Sequence, residues 1–293
     1  LDRQDLSAAE AFWSENLRGF DSPTNPVFDS DRQLEGKTHL RALNLELSRS
    51  LTERLEAFAR QQRVTLNVLV LGAWALVLGR YCGSDDVVFG TTVAGRPMEL
   101  DGADRMVGLF INTLPLRVRV PNGASLTEWL RDIQSRQLNL RQFEQTPLAQ
   151  IQRWSDMPPG TSLFETIVVF ENVPDPKKGS KDDGAWTVHD ESYAEYSNYP
   201  LAILALPGPQ LNLRMIYDPQ HFGADTVECV LGHLRATLEH MAERQDQTLS
   251  QISILPADEQ RLILETWNDT LAAFPENRCI HHLIEDAVTR TPD

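Results

Sequence analysis

The sequence holds 293 residues, 41% of them hydrophobic, and its 27 basic against 42 acidic side chains leave a formal net charge of −15. That length builds one large or two ordinary domains, each with its own core, and a strongly acidic balance repels a phosphate backbone, so no nucleic-acid partner is expected. Cys82, Cys229 and Cys279 are odd in number and far apart, which argues against a disulfide framework or a cysteine zinc site and fits packing residues in a reducing cytoplasm.

The start, "LDRQDLSAAE", has no charged, apolar and small-residue succession of a signal peptide and reads as mid-chain sequence. "HLRALNLELS" alternates apolar and polar residues as a half-buried strand does. Ser50-Leu51-Thr52-Glu53 then has the capping-box pattern, opening a helix with Leu51, Leu55, Phe58 and Ala59 on one face. "LNVLVLGAWALVLG", Leu66 to Gly79, is the longest apolar segment. It falls short of the roughly 20 residues that span a bilayer, so it predicts a helix buried on all sides and no membrane partner.

"VVFGTTV" predicts a central strand, since a short β-branched run bounded by turn residues suits burial on both faces. "LFINTLPLRVRV" predicts a second, with Phe110, Leu114, Leu116, Val118 and Val120 on one face and Asn112 among them. Ser125-Leu126-Thr127-Glu128 opens a helix whose Leu126, Trp129, Leu130, Ile133 and Leu140 keep helical spacing. Further on, "ETIVVF" is a strand, "ENVPDPKKGSKDDGAW" a loop, and "LAILALPGPQLNLRMIYD" a hairpin around Pro207-Gly208-Pro209. A helix from about Asp225 places Val227, Val230, Leu231, Leu234, Leu238 and Met241 on one face. The fold class is α/β or α+β with a mixed sheet. After residue 250 the pattern changes to short helices with no complete core, so a boundary is expected there, dividing 1–250 from 251–293.

Walker, G-x-G-x-x-G, G-x-S-x-G, H-E-x-x-H and EF-hand signatures are all absent from the sequence. Asn112 is the strongest anomaly. An amide on an apolar strand face costs roughly 1–3 kcal/mol if unpaired, so it either bonds neighbouring backbone or faces a polar cavity. "GTTVAGRP" reads either as a strand end and turn or as the wall of a channel where glycine lets backbone approach a ligand. His189, His221, His233 and His240 are scattered, and the last two, seven apart on a helix, are expected on its solvated side. In "HHLIED", Ile280, Leu283, Ile284 and Ala287 recur as a buried stripe, leaving His282 and Asp286 on a more exposed flank, a pair without a third metal ligand.

Taken together, these stretches resemble the condensation domains of nonribosomal peptide synthetases over residues 1 to about 250. "VGLFINTLPLRV" is similar to the family signature of Val or Ile, Gly, x, Phe, Val, Asn, Thr. "AEAFWSENLRGF", "TLNVLVLGAWALVLGRYCGSDDVVFGTTVAGRP", "FEQTPLAQIQRWS", "SLFETIVVFENVP" and "YSNYPLAILALPGPQLNLRMIYD" look like other family stretches in the family's order. The segment from "ILPADEQ" to "RTPD" resembles the linker and opening helix of an adenylation domain. The resemblance implies a chloramphenicol acetyltransferase-like lobe, the C-terminal half of a two-lobed condensation domain, followed by an adenylation-domain start. It implies an amide bond formed between a donor acyl or peptidyl thioester and an acceptor aminoacyl thioester. The partners implied are donor and acceptor peptidyl carrier domains, the N-terminal lobe and the adenylation domain. No cofactor is bound directly; phosphopantetheine arms arrive on the carriers.

The family's catalytic HHxxxDG motif belongs to the N-terminal lobe and does not occur in this sequence, so no catalytic residue and no activity are expected of the chain alone; "HHLIED" is a chance echo, with alanine at 287 where the motif has glycine. By resemblance, Asn112, Thr113 and Gly108 of the signature and Thr91, Thr92 and Val93 of the preceding strand are expected along the tunnel or phosphopantetheine path, with no metal. Two departures bear on the condensation subtype: Phe143-Glu144-Gln145-Thr146 where the family often has His-Gln-Asp, and "DMPPGTS" in place of an Arg-Asp-x-Ser pattern. The alternative reading is a noncatalytic platform for carrier proteins or a tailoring enzyme, and a third is an acyltransferase of this fold with a soluble acceptor.

Overall fold

A computed structural model describes residues 6–26, 39–94, 102, 105–171, 197–243, 246–271 and 279–291. Gly95-Arg96-Pro97, His189 and most of the "ENVPDPKKGSKDDGAW" loop lie outside the described residues. The chain divides into two compact units, Leu1–Leu255 and Pro256–Asp293.

The first unit is built on a six-stranded mixed sheet. Its strands are β1 (Arg41–Glu46), β2 (Asp86–Val93), β3 (Asn112–Arg119), β4 (Thr166–Phe170), β5 (Leu201–Leu206) and β6 (Asn212–Tyr217), in the order β1-β6-β5-β4-β2-β3. β4 runs parallel to both β2 and β5, and every other pair is antiparallel. β2, read from its β-branched run as a central strand, is interior, with Val87 to Thr91 buried. β5 and β6 form the hairpin around Pro207-Gly208-Pro209.

The helices are α1 (Leu6–Leu17), α2 (Arg49–Gln62), α3 (Leu66–Cys82), α4 (Leu126–Leu140), α5 (Leu148–Arg153) and α6 (Ala224–Met241). α3 is the buried helix its composition requires. Val68 to Gly79 are all buried, and α2, α4, α6 and β2 pack around it. Thr65 caps its start by accepting from the Val68 amide, and Gly83 ends it at φ 60°, a left-handed turn glycine takes without a Cβ penalty. α4 comes so close at Gly72 that an added Cβ would sit 2.8 Å from Leu130 Cδ2. The expected apolar faces of α4 and α6 are buried at every named position. Among the described residues no single helix is long and apolar enough to cross a membrane.

Some local expectations change. α2 starts two residues earlier than the capping-box reading, because Ser48 is the extended residue whose Oγ accepts from the Leu51 amide. Ser125 does precede α4, but its side chain makes no capping bond; its backbone bridges Thr248 instead. β3 begins at Asn112, so Phe110 lies before the strand. His233 is buried rather than solvated, because α6 packs on α3 and brings its Nδ1 within 2.6 Å of the Tyr81 hydroxyl. His240 Nδ1 lies 2.8 Å from the Ser253 carbonyl oxygen. Cys82 is half-buried, and burial pushes its thiol up to about 11, whereas Cys229 and Cys279 are exposed.

The second unit contains α7 (Ala257–Arg261), a π-helical turn at Leu262–Thr266 and α8 (Ile280–Arg290). α8 is the expected amphipathic helix, but Ile280, Leu283 and Ile284 are exposed instead of buried. Asp286, assigned to the open flank, is the more protected position.

Candidate functional site

The pairing of β2 with β3 brings five of the six expected site residues to one end of one ladder. Thr92 lies opposite Thr113, Val93 opposite Asn112, and Thr91 opposite Leu114. Because side chains alternate along a strand, Thr92 and Thr113 share one face while Thr91, Val93 and Asn112 share the other. Gly108 stays apart, exposed in the segment before β3.

Asn112 bonds backbone. Its Nδ2 donates to the carbonyls of Glu144 (2.8 Å) and Thr146 (2.9 Å), and its Oδ1 accepts from the Thr113 amide (2.9 Å). Both amide hydrogens are therefore committed to fastening the start of β3 to the turn that leads into α5. Thr146 is fully buried there, and burial raises the Glu144 carboxyl above its usual range, with Arg141 opposing. The amide holds structure in place and has no donor left for a ligand. Thr91 is buried as well, so its side chain belongs to the core side of the sheet.

The other face is different. There the Thr113 side chain neighbours the phenol of Tyr199, in the turn before β5, a residue the sequence did not single out. Burial raises the Tyr199 phenol, and the neighbouring Thr113 side chain pulls the other way. The Tyr199 ring stacks on Phe164 with centroids 5.4 Å apart, and Phe164 in turn lies over Gly90. An added Cβ at Gly90 would meet Phe164 Cε2 at 2.5 Å and Ile167 Cγ2 at 2.6 Å, so this strand position needs glycine for close approach, not for its φ. Beside them, Thr24 bridges Phe164, and its Oγ1 accepts from the Val88 amide (2.9 Å). That bond serves an amide of β2 two residues before the β4 pairing begins at Gly90.

Thr92, Thr113 and Tyr199 thus present three hydroxyls at the half-buried end of the sheet, on a floor of Gly90 and Phe164. Such a group can donate to and accept from amides and can donate to a thioester carbonyl, but it contains no general base. In the second unit, Cys279, His281 and His282 offer donor atoms all within 4.8 Å of one another, a set that does not include Asp286. All three are exposed on one turn of chain.

Residues 1–264 match the family described as Condensation domain. The chain is 42% identical over 297 residues to one of the linear gramicidin synthase subunits of Brevibacillus parabrevis, covering 100% of this chain and 4% of that protein. It spans only a small part of the curated relatives it matches. In structure it is similar to a four-domain nonribosomal peptide synthetase bound to AMP and glycine, at TM-score 0.79 and 15% identity, covering 99% of this chain and 23% of that one. It is also similar to the X-domain from teicoplanin biosynthesis in its complex with OxyB, at TM-score 0.71 and 23% identity, covering 86% of this chain and 56% of the other.

Proposed function

Since the chain belongs to the condensation-domain family of nonribosomal peptide synthetases, we propose that it forms the C-terminal lobe of a domain that joins two carrier-bound substrates through an amide bond. The observation that carries this reading is the family match over residues 1–264. The acceptor amine attacks the donor thioester carbonyl; a C–N bond forms, the C–S bond breaks, and the amine proton leaves through a base to the departing thiolate. That base is the histidine of an HHxxxDG motif in an N-terminal lobe, consistent with the absence of any base among Thr92, Thr113 and Tyr199. The remaining share of the X-domain chain, beyond the 56% matched here, leaves room for such a lobe.

On this reading Thr92, Thr113 and Tyr199 line the path of an aminoacyl phosphopantetheine arm and bond its amides. Asn112 positions the strand that carries Thr113. The exposed Met106, Val107, Leu109 and Ile111 ahead of β3 offer apolar surface for the N-terminal lobe. Residues 251–293 are the linker and the start of an adenylation domain, and the uncovered Ile280, Leu283, Ile284 and Val288 of α8 are the face that the rest of that domain buries.

A second reading, a noncatalytic platform for a tailoring enzyme, draws support from the fold likeness to an X-domain seen with OxyB. Kinetics on the two-lobed domain with loaded donor and acceptor carriers separate the two. Tyr199→Phe and Thr113→Val should each slow dipeptidyl thioester formation by up to about tenfold, the worth of one hydrogen bond, chiefly through a higher KM for the acceptor carrier. Unchanged kinetics in both variants would remove these hydroxyls from the path, and an intact domain that never condenses would favour the platform.

A further inference from the structure

A cleft of about 500 Å³ opens between α1, β3 and α4, and four of its seven lining residues are arginines: Arg18, Arg117, Arg119 and Arg136. Phe12, Glu15 and Asn16 complete the lining. We propose that this cleft binds a phosphorylated small molecule through Arg18, Arg119 and Arg136. It is distinct from the hydroxyl group at Thr113. Arg119 lies six positions further along β3, roughly 20 Å at strand rise, with the buried Arg117 and its α1 partners in between.

Arg117 is committed to structure, since its guanidinium is shared between Asp86 and the carbonyls of Asn16 and Arg18. The other three face solvent. Arg18 is 71% exposed beside Glu15, Arg119 is 67% exposed at 3.6 Å from Asp86, and Arg136 is 37% exposed beside Asp132. Exposed pairs of this kind hold weakly. A phosphate offers several oxygens to planar guanidinium forks arriving from three separate elements, and it can take them over from single carboxylates. Counting Arg117 and the three carboxylates, the cleft keeps one positive charge in excess within a chain of net charge −15. An anion repelled elsewhere is therefore drawn here. The volume suits a small molecule.

Phosphorus NMR of inorganic pyrophosphate added to the 293-residue chain tests this. A saturable change in the pyrophosphate signal is expected at low ionic strength, weakening as salt is raised. Arg119→Gln and Arg136→Glu should each weaken it by roughly tenfold or more, because each removes a charge-assisted contact. Circular dichroism checks that both variants keep the fold. Arg49→Glu, on the exposed face of α2, should leave binding as it was. No saturable change, or equal weakening by Arg49→Glu, overturns the proposal.

Discussion

Arg117→Met should lower stability by about 3 kcal/mol or more, toward the range for breaking a buried ion pair, read as a shift in the urea midpoint. The Arg117 side chain is only 6% exposed, and it binds Asp86 through Nε (2.9 Å) and Nη2 (2.6 Å). Its Nη1 donates to the carbonyls of Asn16 (3.2 Å) and Arg18 (2.8 Å) at the C-terminal end of α1, and its guanidinium lies 5.5 Å from the Phe20 ring centroid. Methionine would fill the space yet leave Asp86 and two helix-end carbonyls without this donor set. Arg119, exposed and 3.6 Å away, replaces only part of the charge. Arg117→Lys should rescue little, because a point charge cannot serve a carboxylate and two separate carbonyls at once. A methionine variant as stable as the parent would show that α1 is held by its apolar face alone.

Gly90→Val should be the most damaging single change at the candidate site. Even a methyl group at this position would overlap Phe164 and Ile167, and Ile167 Cγ2 branches too near the backbone to swing away. Overpacking of this kind costs about 1–3 kcal/mol, with valine at the upper end and alanine lower. The functional consequence reaches further than the stability. Displacing Phe164 moves the ring on which Tyr199 stacks, so the placement of the Tyr199 hydroxyl beside Thr113 should be lost with it. Condensation by the two-lobed domain should fall more in Gly90→Ala than in Tyr199→Phe. Equal or smaller loss in Gly90→Ala would mean that the Phe164 floor does not position Tyr199.

The strands and helices were legible where composition or residue spacing alone marks the buried positions. α3 reads as buried from its composition, and the face of α6 from Val227 to Met241 follows from helical spacing. The candidate site was legible only in part. Asn112 stood out as an amide on an apolar face, but its partners Glu144 and Thr146 lie 32 and 34 positions away, so spacing could not choose between backbone and cavity. Tyr199 gave no signal at all, since it reaches Thr113 only once β4 brings β5 alongside β2. His233 was misplaced for a related reason: a helix with two neighbours buries a second face that one-sided periodicity does not reveal. On α8 the error runs the other way, because an apolar stripe predicts burial only where a partner is present.

Dipeptidyl thioester formation between two loaded carrier domains, measured with this chain alone, with the N-terminal lobe alone, and with both combined, tests the central claim most directly. The account predicts product only from the combination, and its loss when the second histidine of the N-terminal lobe's HHxxxDG motif is replaced. Condensation by this chain alone, or by the N-terminal lobe at the same rate without it, would contradict the account.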